Sequence, residues 1–440
     1  MRNDTPTISL CMIVKNEEQW ITKALSSVES IVSEMIVVDT GSTDDTVALA
    51  EKAGAKVFHE EWTDDFSAAR NVSLAHATGD WILVLDADEE IAPSDLEKLV
   101  KLTTEPSAAY LLTQRHYVND YTLSRFEPVV GEYVDMERHY GGYCTSSLTR
   151  FFPNHCGYEF RGPVCELVEP SITEKQIHEI RDAGIPIHHY GYAPEYDREQ
   201  RKAALYSKIG EERIKAHPDS WRALFELGVD YLVSANFQKS IQCLVQSLEK
   251  NGSHVPTWVN LGFSLLQMGQ LADAQTTFET AVTLDPRSHE AQCNLGVCQL
   301  HQRNYEAAEE SFFRSVALKP NYVNAYVNLG KTLTFQGRYA EAACIYEKAL
   351  SVLPSCAVAK IDLSVLFYSA AEFEKAEGYL KSASFDEPQN PQVHLYLAQL
   401  YEAMGREADK EEALKAFARV EMKQVQDLAG QEKDALSCYL

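Results

Sequence analysis

The sequence predicts two domains of different class, an α/β domain with a parallel sheet followed by an all-α repeat array. Three observations lead to this prediction. The chain has 440 residues, which is long enough to form two or more hydrophobic cores. Its first half alternates strand-length apolar runs with helical segments, which is typical of βαβ units. Its second half repeats prolines and small residues at a fixed step of 34 residues.

The elements of the first half follow from their apolar spacing. Consecutive βαβ units form a parallel sheet, so the carboxyl ends of the strands are expected to meet at one edge, where such sheets bind ligands. Gly54 and Gly79 are predicted to end helices, and Ser42, Thr43 and Asp44 offer a helix cap. The predicted strands are 8–14, 34–39, 55–60 and 81–86, and the predicted helices lie within 17–30, 43–54 and 64–79.

The second half is predicted to consist of helix pairs. A glycine after leucine lets two antiparallel helices approach closely, an aromatic residue four positions after an alanine fills the gap, and proline stops the second helix. The pattern resembles the tetratricopeptide repeat and predicts five to six units over 220–424, with a tail at 425–440. The repeated prolines are Pro286, Pro320, Pro354 and Pro388, and the repeated Asn-Leu-Gly triplets begin at Asn260, Asn294 and Asn328.

Composition narrows the classes of partner. The formal net charge of −25 disfavours a nucleic-acid partner, because a phosphate backbone repels an acidic surface. No apolar run approaches the roughly 20 residues that span a bilayer, and the amino terminus lacks the order of a signal peptide, so we expect no integral membrane segment and a cytoplasmic location. Ten cysteines without a C-x-x-C pair indicate neither a disulfide framework nor a zinc ribbon.

Polar clusters follow three of the predicted strands and therefore share one edge of the sheet. After the second strand, Asp39 can accept hydrogen bonds from a planar base, and Gly41 lets the backbone approach a ligand. After the fourth strand, Asp86 and Asp88 would repel each other unless a divalent cation offset their charge. The residues therefore predict a cation that neutralises a diphosphate. The clusters are Lys15-Asn16-Glu17, Asp39-Thr40-Gly41-Ser42 and Asp86-Ala87-Asp88.

Four motifs, VKNEE, VVDTGSTDDT, WTDDFSAARN and LDADEE, occur in an order that resembles glycosyltransferase family 2. The resemblance is to the subgroup that joins this domain to tetratricopeptide-like repeats, the sublancin S-glycosyltransferase subgroup. It implies a GT-A (Rossmann-like) nucleotide-sugar-binding domain at 1–193, with a helical linker at 194–219 before the repeats. It also implies metal-dependent, inverting transfer of a hexose-type sugar from a nucleotide sugar, with a UDP-sugar as the expected donor and Mg²⁺ or Mn²⁺ as the cofactor.

The resemblance assigns roles to individual residues. Glu17 and Asp39 would hold the nucleoside, while Arg70 and Asn71 would lie near the diphosphate. The whole nucleotide-sugar site would comprise Lys15, Asn16, Glu17, Asp39, Gly41, Ser42, Arg70, Asn71, Asp86, Ala87 and Asp88.

The metal site would be built from the D-x-D pair, with Asp88 on the metal and Asp86 beside it. His189 occupies the matching position of a family segment H-x-G-Y and would return toward the metal or the diphosphate. A histidine at a strand end also serves as an ordinary structural residue, and that alternative stays open. His188 would point to the opposite face of a strand, so both histidines should not be ligands.

Glu166 is the expected general base, because FRGPVCELVEP resembles the family pattern G-x-V-H-E. Attack on the sugar needs an acceptor whose proton is taken by a carboxylate. The sequence departs from the pattern at Cys165, where the family has histidine, and Glu166 could instead be a surface acid beside a turn.

The expected acceptor is a side chain of a protein or peptide, because repeat arrays form grooves that bind extended peptides. Two alternatives remain. The chain could be a transferase that acts on a lipid-linked or cell-envelope saccharide, or it could be a repeat scaffold whose catalytically inactive first domain only binds nucleotide. Loss of catalytic activity is disfavoured by the presence of Asp39, Arg70, Asp86 and Asp88, whereas Cys165 favours it.

Overall fold

The computed structural model describes residues 6–105, 107–121, 126–137, 140–162, 166–191, 210–211, 213–215 and 219–437, with backbone alone from 423 onward. The chain divides into two compact units, Met1–Pro194 and Glu195–Leu440. Most of the predicted linker at 194–219 lies outside the described residues. Within the part of the chain that the structure describes, no helix is long and apolar enough to cross a bilayer.

The described strands of the first unit form one mixed sheet. Numbered β1 to β9 along the chain, they run in the order β3-β2-β1-β4-β8-β6-β9-β5, and β7 pairs with β8. The predicted strands are found as β1 to β4, each within two residues of its expected bounds. The nine strands are Ile8–Val14, Glu34–Asp39, Lys56–His59, Trp81–Val84, Glu89–Glu90, Ala108–Val118, Glu127–Pro128, Gly142–Pro153 and Glu179–His189.

Strand pairing explains why distant residues meet. The strands β1, β2, β3 and β4 run parallel, and Val14 pairs with Asp39, so the polar clusters that follow β1 and β2 share one edge. Beyond β4 the sheet turns mixed, because β8 runs antiparallel to both β4 and β6. The last strand, β9, lies between β5 and β6 and sets His189 opposite both Glu89 and His116.

Helices cover the sheet and bury its two faces in separate cores. Leu10 and Met12 of β1 belong to one core, and Cys11 between them belongs to the other. The first helix buries Ile21, Ala24, Leu25 and Val28, the spacing of a single apolar stripe. The helices of this unit, α1 to α6, are Ile21–Val28, Thr46–Lys52, Phe66–His76, Pro93–Leu102, Val134–Glu137 and Glu169–Lys175.

Six helix pairs lie within residues 221–437 of the second unit. The second helix of pair six continues to Ser437, past the expected end of the repeats at 424, and the proline step places Met422 where pairs two to five have proline. The pairs are Trp221–Val233 with Phe237–Lys250, Val255–Gln267 with Leu271–Leu284, His289–His301 with Tyr305–Leu318, Val323–Phe335 with Tyr339–Val352, Ala357–Ser369 with Phe373–Asp386, and Pro391–Ala403 with Glu407–Ser437.

Close packing inside each pair has the predicted cause. A Cβ added at Gly262 would lie 2.7 Å from the Phe278 ring, and one added at Gly296 would lie 2.8 Å from the Phe312 ring. Both aromatic rings are fully buried. Glycine is therefore required in the first helix of these pairs because the partner's ring occupies the space of a side chain.

Candidate active site at the carboxyl edge of the sheet

The loops that follow β1 and β2 interlock. Asn16 has a left-handed backbone with φ of 56°, and its N–H donates to Ser42 Oγ at 2.9 Å. Its Oδ1 accepts from the Thr43 N–H at 2.7 Å, and the Glu17 N–H donates to Thr46 Oγ1 at 2.7 Å. Lys15, the first residue after β1, is exposed. The first two predicted clusters thus form one bonded pair of loops.

Asp39 is a buried, charged acceptor at the floor of these loops. It accepts from the N–H groups of Gly41 at 3.2 Å and Ser42 at 3.1 Å, and His59 Nδ1 lies 3.3 Å from it. Burial alone would raise the pKa of Asp39, but the hydrogen bonds from Ser42, His59 and Gly41 lower it below the ordinary value. Gly41 has φ of 104°, a conformation that favours glycine.

Asp86 is held by two arginines that are almost fully buried. Arg70 Nη2 donates to Asp86 Oδ1 at 2.7 Å, and Arg150 Nη2 donates to Asp86 Oδ2 at 3.1 Å. Burial would raise the pKa of Asp86, but the charges of Arg70 and Arg150 lower it well below its ordinary value. Each Asp86 oxygen therefore already accepts a hydrogen bond from a guanidinium group, and the role of Asp86 as a metal ligand stays a prediction.

Arg70 also reaches Glu166, so one guanidinium joins the fourth-strand cluster to the expected base. Its Nε donates to Glu166 Oε1 at 2.8 Å, and the Glu166 side chain is 18% exposed. The neighbouring Cys165, where the sequence departs from the family pattern, lies outside the described residues. Glu166 is therefore an ion-paired site residue in this structure, and its role as a base stays a prediction.

Asp88 and His189 lie close together, and their role as metal ligands stays a prediction. His189 Nε2 lies 3.6 Å from Asp88 Oδ1, and the Tyr190 N–H donates to the Asp88 carbonyl at 3.0 Å. A Cβ on Gly191 would overlap the Asp88 carboxylate, so this close approach requires glycine. Ala87 is buried between the two aspartates. His188 faces the other side of the strand, where Tyr117 Oη lies 2.6 Å from its Nδ1, as strand alternation predicts.

An oxygen and a nitrogen ligand suit Mn²⁺, and a carboxylate suits Mg²⁺, which keeps waters and substrate phosphates among its ligands. Among the described side chains, no group of three or more His, Cys, Asp or Glu forms a ready metal site. Asp88 and His189 offer one oxygen and one nitrogen donor, and a substrate diphosphate and water would supply the remaining ligands of a cation.

Asn71 has a structural contact that the sequence did not suggest. Its Nδ2 donates to the Phe160 carbonyl at 2.9 Å, and its Oδ1 accepts from the Phe160 N–H at 2.8 Å. The side chain thus ties α3 to the segment that precedes Glu166. Contact with a diphosphate stays a prediction.

Sequence reasoning missed four residues that surround Asp86 and His189: Glu89, Gln114, His116 and Arg150. Glu89 is fully buried; burial and the nearby Asp86 carboxylate raise its pKa, and Gln114 Nε2 donates to its Oε1. The sequence offered no distinct signal for Gln114 or Arg150, because other polar residues flank Gln114 in β6 and precede Arg150 in β8. Buried polar groups in such positions require partners.

Comparisons with known proteins support the predicted class of each half of the chain. A model described as glycosyl transferase family 2 matches residues 9–153, and two described as tetratricopeptide repeat match 259–323 and 334–400. A TPR repeat-containing protein of Synechococcus elongatus is 35% identical over 55% of this chain and 57% of its own length. The SPbeta prophage-derived glycosyltransferase SunS of Bacillus subtilis is 28% identical over 56% of this chain and 54% of its own length.

The chain thus spans little more than half the length of these two relatives. The crystal structure of MamA covers 37% of this chain and 94% of its own, with a TM-score of 0.34 and 26% identity. From these matches and the fold, the chain carries a glycosyl transferase family 2 domain followed by tetratricopeptide repeats.

Proposed function

We propose that the chain is a metal-dependent, inverting glycosyltransferase that moves a hexose-type sugar from a nucleotide sugar, a UDP-sugar, to a side chain of a protein or peptide. The observation that carries the proposal is the Asp88–His189 pair beside an arginine that bridges Asp86 and Glu166. Carboxylates, imidazole and buried guanidinium groups then line one edge of the sheet. These are the groups that transfer from a diphosphate requires.

The nucleoside would lie over the loops after β1 and β2. Asp39 is charged and buried, so it can accept N–H or O–H groups of a base or ribose strongly. The exposed Lys15 and Asn16 and the glycine at position 41 border the same loops.

The diphosphate would lie at the buried arginines. Arg70 Nη1 and the Nε and Nη1 of Arg150 are buried without a hydrogen-bond partner among the described residues. Buried donors are rarely left unpaired, and phosphate oxygens would supply the missing acceptors. Asp88 and His189 would hold Mg²⁺ or Mn²⁺, which would stabilise negative charge on the leaving diphosphate.

Glu166 would take the acceptor's proton from the face of the sugar opposite the diphosphate. Arg70 holds the Glu166 carboxylate by its Nε, which fixes the direction of that carboxylate. A positioned carboxylate that removes a proton as the bond forms accelerates transfer by about 10²–10⁴. The acceptor would be a Ser, Thr or Cys side chain in an extended segment bound by the repeats.

The test is a set of reactions with a panel of nucleotide sugars, Mn²⁺ and candidate peptides. Release of nucleoside diphosphate and the intact mass of the peptide are measured, and NMR determines the anomeric configuration of the product. We expect one donor to give an inverted product. No release with any donor would contradict a transferase, and a retained configuration would contradict inversion.

Asp88→Asn is the sharpest variant for this assay. It should keep the fold and abolish most turnover, because a charged ligand is lost without a change of volume. Asp273→Asn, at an exposed position of the repeats, is the matched control and should retain activity. Full activity of Asp88→Asn in excess chelator would reject metal dependence centred on Asp88.

A further inference from the structure

A chain of hydrogen bonds connects the buried Glu89 to His189 beneath the site. Gln114 Nε2 donates to Glu89 Oε1, and Ser146 Oγ donates to Gln114 Oε1 at 2.9 Å. His116 Nε2 lies 2.7 Å from Ser146 Oγ, and His116 Nδ1 lies 3.0 Å from His189 Nδ1. The chain crosses three neighbouring strands, β8, β6 and β9, and ends at the imidazole that faces Asp88.

The direction of each bond follows from the one before it. Since the Gln114 amide nitrogen donates to Glu89, its oxygen is the acceptor for Ser146. The Ser146 hydroxyl therefore donates its hydrogen to Gln114 Oε1, and Ser146 Oγ accepts a hydrogen bond from His116 Nε2–H. A neutral His116 then has its ring electron pair on Nδ1, where it accepts a hydrogen from His189 Nδ1.

The same logic fixes the tautomer of His189. With its hydrogen on Nδ1, the ring electron pair lies on Nε2, the atom that is 3.6 Å from Asp88 Oδ1. With the opposite tautomer, a hydrogen on Nε2 would stand between the imidazole and the carboxylate. A cation is bound by the electron pair, so only the first tautomer makes Asp88 and His189 joint ligands.

We propose that His116 is a positioning residue that holds His189 in the Nδ1–H tautomer, so that His189 Nε2 and Asp88 together bind a divalent cation. The inference rests on the metal dependence in the proposed function. It adds His116, which the sequence did not single out. It also predicts that His116 affects the metal affinity of the protein, which can be measured without sugar transfer.

The first test measures the affinity of the metal-free, full-length protein for Mn²⁺ by electron paramagnetic resonance, with no nucleotide present. Loss of a hydrogen-bonding partner behind a metal ligand typically lowers affinity by about 10–100-fold, which is the expected effect of His116→Phe. His116→Asn keeps an acceptor near the former Nδ1 and should restore most of the affinity. His76→Phe, at an exposed histidine that stacks on Phe58, is the control and should bind as the wild type does.

Equal Mn²⁺ affinity for His116→Phe and the wild type would overturn the proposal, and so would equal losses in His116→Phe and His116→Asn. If His116→Phe fails to fold, Ser146→Ala replaces it, since it removes the bond that orients His116 and should weaken Mn²⁺ binding in the same direction.

A second test determines the tautomer itself from the ¹⁵N shifts of His189 in metal-free protein. The Nδ1–H form is expected in the wild type, and an Nε2–H form would overturn the proposal. The two hypotheses fail separately, because sugar transfer that persists in chelator rejects the proposed metal dependence, whereas His116 is judged by Mn²⁺ affinity and the ¹⁵N spectrum alone.

Discussion

At the scale of residues, Arg70 unites two parts of the site that lie far apart in sequence. It sits on α3 and pairs with Asp86 after β4 and with Glu166 before α6. The Arg70 side chain is only 4% exposed, and its Nη2 lies 2.7 Å from Asp86 Oδ1 and 2.8 Å from Glu166 Oε1. The position of Glu166 is therefore set by the same guanidinium that fixes Asp86.

We expect Glu166→Gln to lower the rate of transfer by about 10²–10⁴ while donor affinity stays nearly unchanged. The amide cannot take a proton, but its oxygen can still accept from Arg70 Nε. The rate constant of transfer and the dissociation constant of the donor are measured separately. Glu174→Gln, an exposed acid paired with Arg161, is the control.

Loss of donor affinity with an unchanged rate would instead make Glu166 a binding residue. The same assay on Cys165→His would show whether the departure from the family pattern weakens the base.

The expected site residues lie mostly where strands end. The residues within neighbouring strands that contact them were not predicted from the sequence. Asp39 and Asp88 could be placed at one edge because the ends of neighbouring parallel strands converge, whereas His189 was assigned only through the resemblance to a family segment. Arg150 and His116 could not, because their roles depend on which strands become neighbours across β8, β6 and β9. Nothing local in the chain records that pairing.

At the scale of elements, the repeats depend on glycines that contact a ring. We expect Gly296→Ala to lower the free energy of unfolding by about 1–3 kcal/mol, because its Cβ would lie 2.8 Å from Phe312 in a packed core. Gly378→Ala is the matched control in a helix of pair five, where no atom lies within 4 Å of the added Cβ. It should stabilise by about 0.5–1 kcal/mol through helix propensity, and urea unfolding measures both. Similar values for the two variants would contradict the packing argument.

Glu34 at the start of β2 links three strands and gives the first unit a pH dependence. It accepts from Ser9 Oγ at 2.7 Å, Thr78 N–H at 2.6 Å and Lys56 Nζ at 2.7 Å. Burial would raise its pKa, but Lys56, Thr78 and Ser9 lower it from 4.5 to about 2. A carboxyl whose folded pKa is depressed stabilises the fold above its unfolded pKa, and that stabilisation is lost as pH falls from 4.5 toward 2.

We therefore expect Glu34→Gln to unfold more easily than the wild type at pH 7, by about 1–3 kcal/mol, with the difference shrinking near pH 2. Urea unfolding at several pH values measures it, and Glu51→Gln, an exposed acid on α2, serves as the control. A difference that stayed constant with pH would contradict the assigned role of the charge.

Helices and strands with a clear apolar period in the sequence could be predicted, whereas strands whose position depends on distant partners could not. The strands β1 to β4 and the helices between them have clear apolar periods, and the repeats carry their own period. The later strands β6, β8 and β9 bury polar residues such as Gln114 and Arg150, so their apolar alternation is broken. Their pairing is also non-local and mixed in direction, which periodicity cannot indicate.

At the scale of the whole molecule, the repeats are proposed to present the acceptor. Removal of the chain from about Val323 onward exposes an apolar helix face, so the truncated protein needs a polar capping helix. With that cap, hydrolysis of the nucleotide sugar should persist, because its expected residues all precede position 193. Transfer to a large acceptor should lose apparent affinity, and transfer to a minimal peptide should change less.

Steady-state kinetics with both acceptors, on capped and full-length protein, provide the comparison. Equal efficiency on the large acceptor would reject the presentation role and leave the repeats as a docking or oligomerisation surface.

The position of β5 has a consequence for the order in which the molecule is assembled. It follows β4 by a few residues in the chain, yet it hydrogen-bonds to β9, whose His189 pairs with Glu89. During synthesis, β1 to β4 can pair before β9 exists, because all four strands precede residue 85. The Asp88–His189 pair must wait for about a hundred further residues and for the slow closure of that long loop. A nascent chain therefore acquires the first half of its sheet well before Asp88 and His189 can come together.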